Sequence, residues 1–268
     1  MRRSISWFML AVVGVVVGAV VAPPAAHAVD PRDEPSVVLY FSFDEGEGGV
    51  AEDLSGNGNE GLIENATWAE GRHGMALEFN GDDTMVMVAA DSSLDLSLGM
   101  TTAAWFYKTE NLIANQGETL ISKKQGGAYC LEVSGWENRS PNKLSTENRI
   151  GGTYHPVFSE ADVPLGEWVH AAATYDETTV RLYMNGALVG EEEWPGAIDL
   201  NTANVYIGAE SDGQQPDGTH GRFLGLIDEV VIADRAFSEE EIGELMETGL
   251  AVDGRGKLPI VWGRLRAE

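Results

Sequence analysis

The 268-residue chain has few cationic residues and almost no cysteine. It contains 17 Lys and Arg against 43 Asp and Glu, so its formal net charge is −26 at pH 7. A surface this anionic repels phosphate backbones and anionic lipid headgroups, which argues against nucleic acid and anionic membranes as partners. Cys130 is the only cysteine, which excludes an intramolecular disulfide. Its apolar surroundings predict a buried small side chain rather than a reactive thiol.

Long hydrophobic runs are absent except at the amino terminus. The uncharged run from Ile5 to Ala22 follows two arginines and is ended by two prolines, and Ala26-His27-Ala28 has small residues where a signal peptidase reads them. We therefore predict a signal peptide over residues 1–28, cleavage before Val29, and a secreted, cell-surface or periplasmic protein. An uncleaved anchor is the alternative, since the run is just long enough to span a bilayer. No second such run occurs, so no membrane span is predicted after cleavage.

Helical periodicity is also scarce in the residues that follow the predicted signal. Short apolar or alternating runs are separated by Gly, Asn, Asp and Pro clusters, a pattern typical of one all-β sandwich or barrel domain. The predicted strands are Val37–Phe43, Ala76–Phe79, Met85–Val88, Thr102–Tyr107, Thr119–Ser122, Tyr129–Val133, Trp168–Tyr175, Val180–Met184, Ala187–Gly190, Val205–Ile207 and Phe223–Ala233.

Two local signals define a hairpin and a helix. Asn185-Gly186 favours the positive φ angles of a two-residue turn, which predicts a hairpin over Val180–Val189. Ser238 and Glu241 have the spacing of a capping box, which predicts a helix that begins at Ser238 and ends before Gly249. The apolar residues of this helix share one stripe, so it should pack against the sandwich.

Several motifs in a fixed order resemble one known family. GEWVHAAATYD at 166–176, followed by VRLYMNG at 180–186, is similar to the laminin G-like jelly-roll domain of the concanavalin A-like lectin/glucanase superfamily. The further matching segments are FDEGEGGVAEDLSGNGNEG at 43–61, ALEFNGDDTMVMV at 76–88, TTAAWFYK at 101–108 and GLIDEVVIADRAFSEEEI at 225–242. The resemblance spans about residues 36–249. It implies a two-sheet antiparallel jelly-roll β-sandwich with one short C-terminal helix, in which the first and last strands are adjacent.

The chain outside the jelly-roll domain divides into short segments. Residues 29–35 are interpreted as a linker between the signal and the domain at 36–249. Residues 250–268 form a separate tail that is basic on an otherwise acidic protein, with an apolar Leu258–Trp262 centre. This tail either adds an edge strand or docks elsewhere.

Catalytic motifs are missing. Endoglucanases of the resembled superfamily carry paired carboxylates in Glu-x-Asp-x-(x)-Glu, but the nearest segment, Glu210-Ser211-Asp212, lacks the second glutamate and is interpreted as a polar loop. A polysaccharide lyase would need a His or Tyr base among cations, and the adjacent Tyr154 and His155 have little positive charge near them in sequence. We therefore predict no catalytic residues and a binding module. The alternatives are a structural or adhesion domain of a surface assembly, and a hydrolase or lyase with an unrecognised site.

Calcium is the predicted metal, because a set of hard oxygen donors lies in segments that the fold should bring together. These predicted ligands are Asp44, Asp53, Asn57, Asn59 and Asp228. If the opening strand pairs with the closing strand, the glycine-rich loop at 46–61 can fold over both, and domains of the resembled family often hold a structural calcium there. Turns of the Asx type at residues 53–59 are the alternative, since Asp and Asn favour them without an ion. No histidine pair has the spacing of a zinc site.

The predicted ligand-binding region lies between Gly126 and Pro156. Trp136, Tyr154 and His155 occur there among several asparagines, and aromatic rings with amide groups suit sugar rings and hydroxyls. The predicted partner is a glycan or an extracellular protein or polymer. In the alternative interpretation, the aromatic side chains only cover the edge of the sandwich.

Overall fold

The computed structural model describes residues 29–111, 117–124, 126–133, 142–210 and 221–248, which form two antiparallel sheets. Sheet A has the order β14-β13-β12-β7-β16-β5-β4, with β1 also paired to β16. Its strands are β1 (Val37–Phe41), β4 (Thr67–Glu70), β5 (Met75–Asn80), β7 (Met100–Lys108), β12 (Trp168–Tyr175), β13 (Thr179–Met184), β14 (Ala187–Glu193) and β16 (Leu224–Ala233). The predicted adjacency of the first and last strands is confirmed.

Sheet B has the order β11-β10-β9-β8-β15-β6-β3-β2. Its strands are β2 (Val50–Ala51), β3 (Gly61–Glu64), β6 (Met85–Val88), β8 (Glu118–Ser122), β9 (Tyr129–Val133), β10 (Lys143–Ile150), β11 (Thr153–Asp162) and β15 (Val205–Ile207). A short 3-10 helix, Ser92–Leu94, and one α-helix, α1 (Glu239–Thr248), complete the described elements. The jelly-roll β-sandwich predicted from the sequence is confirmed.

The main core lies between the two sheets. Sheet A contributes Phe41, Phe79 and Phe106, and sheet B contributes Leu131 and Val205, all fully buried or nearly so. Burying apolar side chains stabilises the fold by about 25 cal/mol for each Å² removed from water, so this layer is the main source of stability. Because side chains alternate along a strand, every second residue of each sheet faces away from this core.

Helix α1 packs on the side of sheet A that faces away from sheet B. Ile242 and Leu245 are buried against Tyr40 and Val231 of the sheet. The predicted capping box is present: the Ser238 amide donates to the Glu241 carboxylate at 2.8 Å, and the Glu241 amide donates to the Ser238 hydroxyl at 3.2 Å. The side chain of Val29 joins the same buried cluster, so the segment interpreted as a linker contacts the domain.

The predicted hairpin is also present. Met184 pairs with Ala187 across a turn in which Asn185 and Gly186 have φ angles of 51° and 77°. Both central residues therefore have the positive φ that the Asn-Gly signal indicated.

The sequence did not predict β2, β3, β4, β10 or β11. In β10 the core-facing positions include Thr146 and Asn148, and in β11 Pro156 interrupts an otherwise plausible run. The polar residues in β10 and the proline in β11 interrupt the apolar alternation by which strands are recognised in a sequence. The omission matters because β10 and β11 form one end of sheet B and position the residues described next.

Candidate functional site

A stacked aromatic pair lies at the edge of the sandwich, and we call it the edge platform. It consists of the exposed Trp194, which follows β14, and the half-buried His155 on β11. Their rings are stacked, with centroids 4.2 Å apart and an interplanar angle of 23°. Trp194 is 36% exposed. Its backbone is held from both sides, since its amide donates to the Thr178 carbonyl at 2.8 Å and its carbonyl accepts from the Tyr175 hydroxyl at 2.8 Å. The platform is thus an exposed aromatic surface on a fixed backbone.

Tyr154 is not part of the edge platform, although it precedes His155 in sequence. It pairs with Arg149 across β10 and β11, and its ring lies beside two cations: the Lys124 Nζ is 5.4 Å and the Arg149 Cζ is 5.8 Å from the ring centroid. Successive strand residues face opposite sides, so Tyr154 and His155 contribute to different surfaces. Trp136, the third predicted ligand-binding residue, lies outside the described residues.

A buried charged group lies beside Tyr154, and we call it the Lys124 cluster: Lys124, Glu132, Glu147 and Glu210. The Lys124 Nζ is 2.7 Å from Glu147 Oε2 and 3.9 Å from Glu210 Oε1. Glu147 pairs with Cys130 across β9 and β10, which places it on the face of sheet B that points away from the core. Burial alone would lower the pKa of Lys124, but the surrounding acidic groups raise it, so the ammonium stays charged.

Glu132 is the exceptional member of this cluster. It is 1% exposed, and among the described residues no group meets either of its carboxylate oxygens with hydrogen-bond geometry. Burial raises its pKa to about 8. Glu210 and Glu147 act in the same direction, whereas Lys124 and the nearby Ser145 hydroxyl act in the opposite direction. The neighbouring strand residue, Thr119, is also fully buried, and its hydroxyl has no hydrogen-bond partner among the residues that the structure describes. A buried polar group without a partner is unfavourable, so two such groups side by side mark an unusual position.

Sequence reasoning predicted His155 but missed its partner Trp194 and the Lys124 cluster. A signal for Glu132 exists, because it is the only charged residue in the apolar strand Tyr129–Val133. A weaker signal exists for Trp194, which stands between three glutamates and Pro195-Gly196, where a buried aromatic is unexpected. No spacing rule relates Glu147 and Glu210, because the chain between them passes through both sheets.

The loop that carries the predicted calcium ligands Asp53, Asn57 and Asn59 is closed by hydrogen bonds. Asp53 accepts from the amides of Tyr40, Ser55 and Asn59 at 2.9 to 3.1 Å. The side-chain amides of Asn57 and Asn59 donate to carbonyls of β1 at 3.1 and 2.7 Å. These contacts agree with the alternative to a calcium site given above, in which Asx-type turns order residues 53–59 without an ion.

The two remaining predicted calcium ligands share a different turn, at residues 71–75. Asp44 accepts from the Met75 amide at 2.9 Å, and Asp228 accepts from the His73 amide at 3.0 Å. Asp228 is buried beside Glu229, and burial followed by this neighbour raises its pKa to about 8. Within the described residues, no group of three His, Cys, Asp or Glu side chains is arranged to hold a metal ion. Calcium therefore stays a prediction.

Cys130 and His170 are buried in the sandwich, and their shifted pKa values disfavour their charged forms. Cys130 is fully buried, and burial raises the pKa of its thiol, which disfavours the thiolate. His170 is buried in β12, where desolvation lowers its pKa to about 3 and its ring packs against Trp105 with centroids 5.3 Å apart.

The chain belongs to the concanavalin A-like lectin/glucanases superfamily, whose laminin G-type family model matches residues 80–243, more than half of the sequence. The resemblance recognised from the motifs is thereby confirmed. No curated protein sequence matches this chain. No helix in the part of the chain that the structure describes is both long and apolar enough to cross a membrane.

Solved structures similar to this fold include toxin binding domains and one domain of an arabinanase. The binding domain of Paraclostridial Mosquitocidal Protein 1 has a TM-score of 0.64 and 16% identity, covering 81% of this chain and 52% of that one. Domain 4 of AbnA, a GH43 extracellular arabinanase from Geobacillus stearothermophilus, in complex with arabinotriose, has a TM-score of 0.61 and 20% identity, covering 78% and 98%. The botulinum neurotoxin serotype D binding domain has a TM-score of 0.59 and 15% identity, covering 80% and 52%. The chain spans about half the length of the toxin domains that it matches, and at these identities the likeness establishes the fold alone.

Proposed function

We propose that this domain is a secreted or surface-exposed, non-catalytic module that binds carbohydrate or a surface polymer. The observation that carries the proposal is the edge platform, in which an exposed Trp194 is stacked on His155 and held at its backbone. A fixed aromatic surface can stack on the apolar face of a sugar ring with little loss of conformational entropy. The similar arabinanase domain, which is bound to arabinotriose, supports a saccharide as the ligand class.

Burial at the Lys124 cluster supports the non-catalytic part of the proposal. A glycosidase needs two carboxyl groups about 5 to 10 Å apart that reach a substrate. Here the Glu147 and Glu210 side chains are each 9% exposed and face the Lys124 ammonium. Because these two buried carboxylates are turned toward Lys124, they favour a binding function over hydrolysis. We expect no release of reducing sugar from polysaccharides.

Replacing Trp194 by alanine should weaken glycan binding about tenfold. The reason is that the replacement removes an aromatic stacking contact worth about 1.4 kcal/mol, which corresponds to a factor of ten in Kd. His155→Ala should have a smaller effect in the same direction, since it removes the support beneath the indole. Affinity electrophoresis against neutral polysaccharides, with arabinan included, and titration with arabinotriose measure both effects.

Trp168→Ala is the matched control. Trp168 is a half-buried tryptophan at the start of β12 and packs on Tyr107, whereas Tyr175 at the end of the same strand holds Trp194. Its replacement should leave affinity unchanged. If folded Trp194→Ala binds glycan as tightly as the wild type, the edge platform is not the binding site. If the wild type binds none of the polysaccharides tested, a structural or adhesion role is favoured.

Export belongs to the same proposal. The Arg2-to-Ala28 pattern and the packing of Val29 against the buried cluster under α1 support a mature chain that begins at Val29. Amino-terminal sequencing of protein recovered outside the cytoplasm tests this start, and an intact Met1 would contradict it.

A structural calcium ion is proposed at the turn shared by Asp44 and Asp228, where the two carboxylates approach the same backbone segment. At tenfold excess over Kd, calcium should stabilise the folded state by about 1.4 kcal/mol, seen as a higher Tm in calcium than in chelator. Asp228→Asn should abolish this difference. Asp53→Asn, which disturbs the loop turn, should lower Tm equally in both conditions unless the loop donors also bind the ion. Superimposable melts of the wild type in calcium and chelator would refute the site.

A further inference from the structure

Glu132 of the Lys124 cluster and the adjacent Thr119 have hydrogen-bonding capacity that the described residues do not use. Glu132 and Thr119 are paired strand neighbours on the face of sheet B away from the core. Both are at least 99% buried, and within the described part of the chain no group has hydrogen-bond geometry to the Glu132 carboxylate oxygens or to the Thr119 hydroxyl. In native structures such groups are normally satisfied by protein, water or ligand. Two such groups side by side, next to the Lys124 ammonium, therefore indicate a position where a bound polar group would complete their hydrogen bonds.

Two partly exposed residues lie near this position: the Tyr154 ring centroid is 5.4 Å from the Lys124 Nζ, and the Arg149 Cζ is 5.8 Å from the same centroid. The Lys124 side chain is itself 8% exposed, so the cluster is not fully closed from the surface. A ligand group that contacts the Tyr154 ring would therefore lie close to Lys124.

The charge pattern selects the chemical class of that group. The Glu147 and Glu210 carboxylates beside Lys124 repel an anionic group such as a uronate or a sulfate. The cationic side chains of Lys124 and Arg149 repel a ligand's ammonium group. A neutral hydroxyl both donates and accepts, and here carboxylate acceptors lie beside ammonium, guanidinium and hydroxyl donors. Mixed donors and acceptors within one small region therefore suit a neutral, hydroxyl-rich group.

We propose that Thr119, Lys124 and Glu132, with Tyr154 and Arg149 at the entrance, form a subsite for a hydroxyl-bearing group of a neutral sugar. The proposal rests on the glycan-binding function proposed above and assigns to it a second contact, separate from the edge platform. Within the subsite a sugar hydroxyl donates to the Glu132 carboxyl, and the Thr119 hydroxyl hydrogen-bonds to the same group. Lys124 stays paired with Glu147 and fixes the position of the carboxylates around it.

The decisive variants are Glu132→Leu and Thr119→Val, each of which replaces an unpartnered buried polar group by an apolar one of similar size. Both should keep or raise Tm without ligand, because they remove an unfavourable buried polar group. Both should weaken binding of neutral sugars about tenfold. A residue with only a structural role would not change stability and affinity in opposite directions.

Thr102→Val is the matched control, since Thr102 on sheet A is equally buried and its hydroxyl is also unpartnered. It should raise Tm in the same way and leave affinity unchanged. The probes are arabinotriose, arabinose, glucose and galactose, with glucosamine and glucuronate as charged analogues, measured by titration calorimetry and ligand-observed NMR. The charged analogues should bind at least tenfold more weakly than glucose.

The outcomes separate the two proposals. If Trp194→Ala weakens binding but Glu132→Leu and Thr119→Val do not, the glycan-binding function stands and the subsite is wrong, with water alone satisfying the buried groups. If glucosamine or glucuronate binds as well as glucose, the neutral-sugar assignment is wrong. If wild type binds none of the neutral probes, both the subsite and the glycan-binding function are wrong.

Discussion

Replacing Glu132 by glutamine should make the domain more stable than the wild type at pH 9, while the two proteins should be similarly stable at pH 5. Burial raises the pKa of Glu132 to about 8 in the folded state, against an ordinary value of 4.5. Between these values only the folded state holds the proton, so raising the pH removes stability until the folded group ionises. The loss is at most about 1.4 kcal/mol for each pH unit, and we expect about 2 to 4 kcal/mol in total.

Urea unfolding of both proteins at pH 5, 7 and 9 measures this difference. Asp228, Glu229 and His170 also have displaced pKa values, but they are present in both proteins and cancel in the comparison. Glu160→Gln, at an exposed position of β11, is the control and should show no pH-dependent gain. A difference between wild type and Glu132→Gln that does not grow with pH would mean that Lys124 keeps Glu132 ionised throughout.

Replacing Gly225 by alanine should destabilise the domain by at least about 3 kcal/mol. Gly225 lies in β16 between β5 and β7, where its φ is 142°, a conformation that residues with a side chain rarely adopt. An added Cβ would overlap the carbonyl oxygen of Tyr107, which is held in β7 and cannot move without disturbing sheet A.

Gly243→Ala provides the opposite case within the same chain. Gly243 lies within helix α1, and a Cβ added there meets no atom within 4 Å. Alanine has the higher helix propensity, so this variant should gain about 0.5 to 1 kcal/mol. Urea unfolding of the two variants checks both signs, and a Gly225→Ala protein as stable as wild type would contradict the strand geometry described here.

Strands whose core-facing residues are apolar could be predicted from the sequence almost to the residue. Tyr129–Val133 and Trp168–Tyr175 have the bounds that their composition indicated. By contrast, β10 and β11 were overlooked because Thr146, Asn148 and Pro156 interrupt the apolar pattern. Periodicity reports only the burial of apolar side chains, and a strand that faces the core with polar groups gives no such signal.

The predicted ligand-binding residues show the same limit. Tyr154 and His155 were expected to act together because they are adjacent in sequence and lie in a stretch interpreted as loop and sheet surface. Placing both in β11 separates them, since His155 stacks on Trp194 at the edge while Tyr154 lies over Lys124 on the outer face. Adjacency along an extended strand puts two side chains on opposite sides.

The sequence by itself determined the features whose energetics are local. The Asn185-Gly186 turn and the Ser238–Glu241 capping box depend on residues within four positions of one another, and their hydrogen-bonding and φ preferences act before any long-range contact forms. The tertiary structure alone decided which distant groups meet. Lys124, Glu147 and Glu210 follow or belong to different strands of sheet B, and the register that brings them together is set by burial of the whole apolar face of that sheet. Because that burial depends on every strand at once, no spacing between these residues could have revealed their contact.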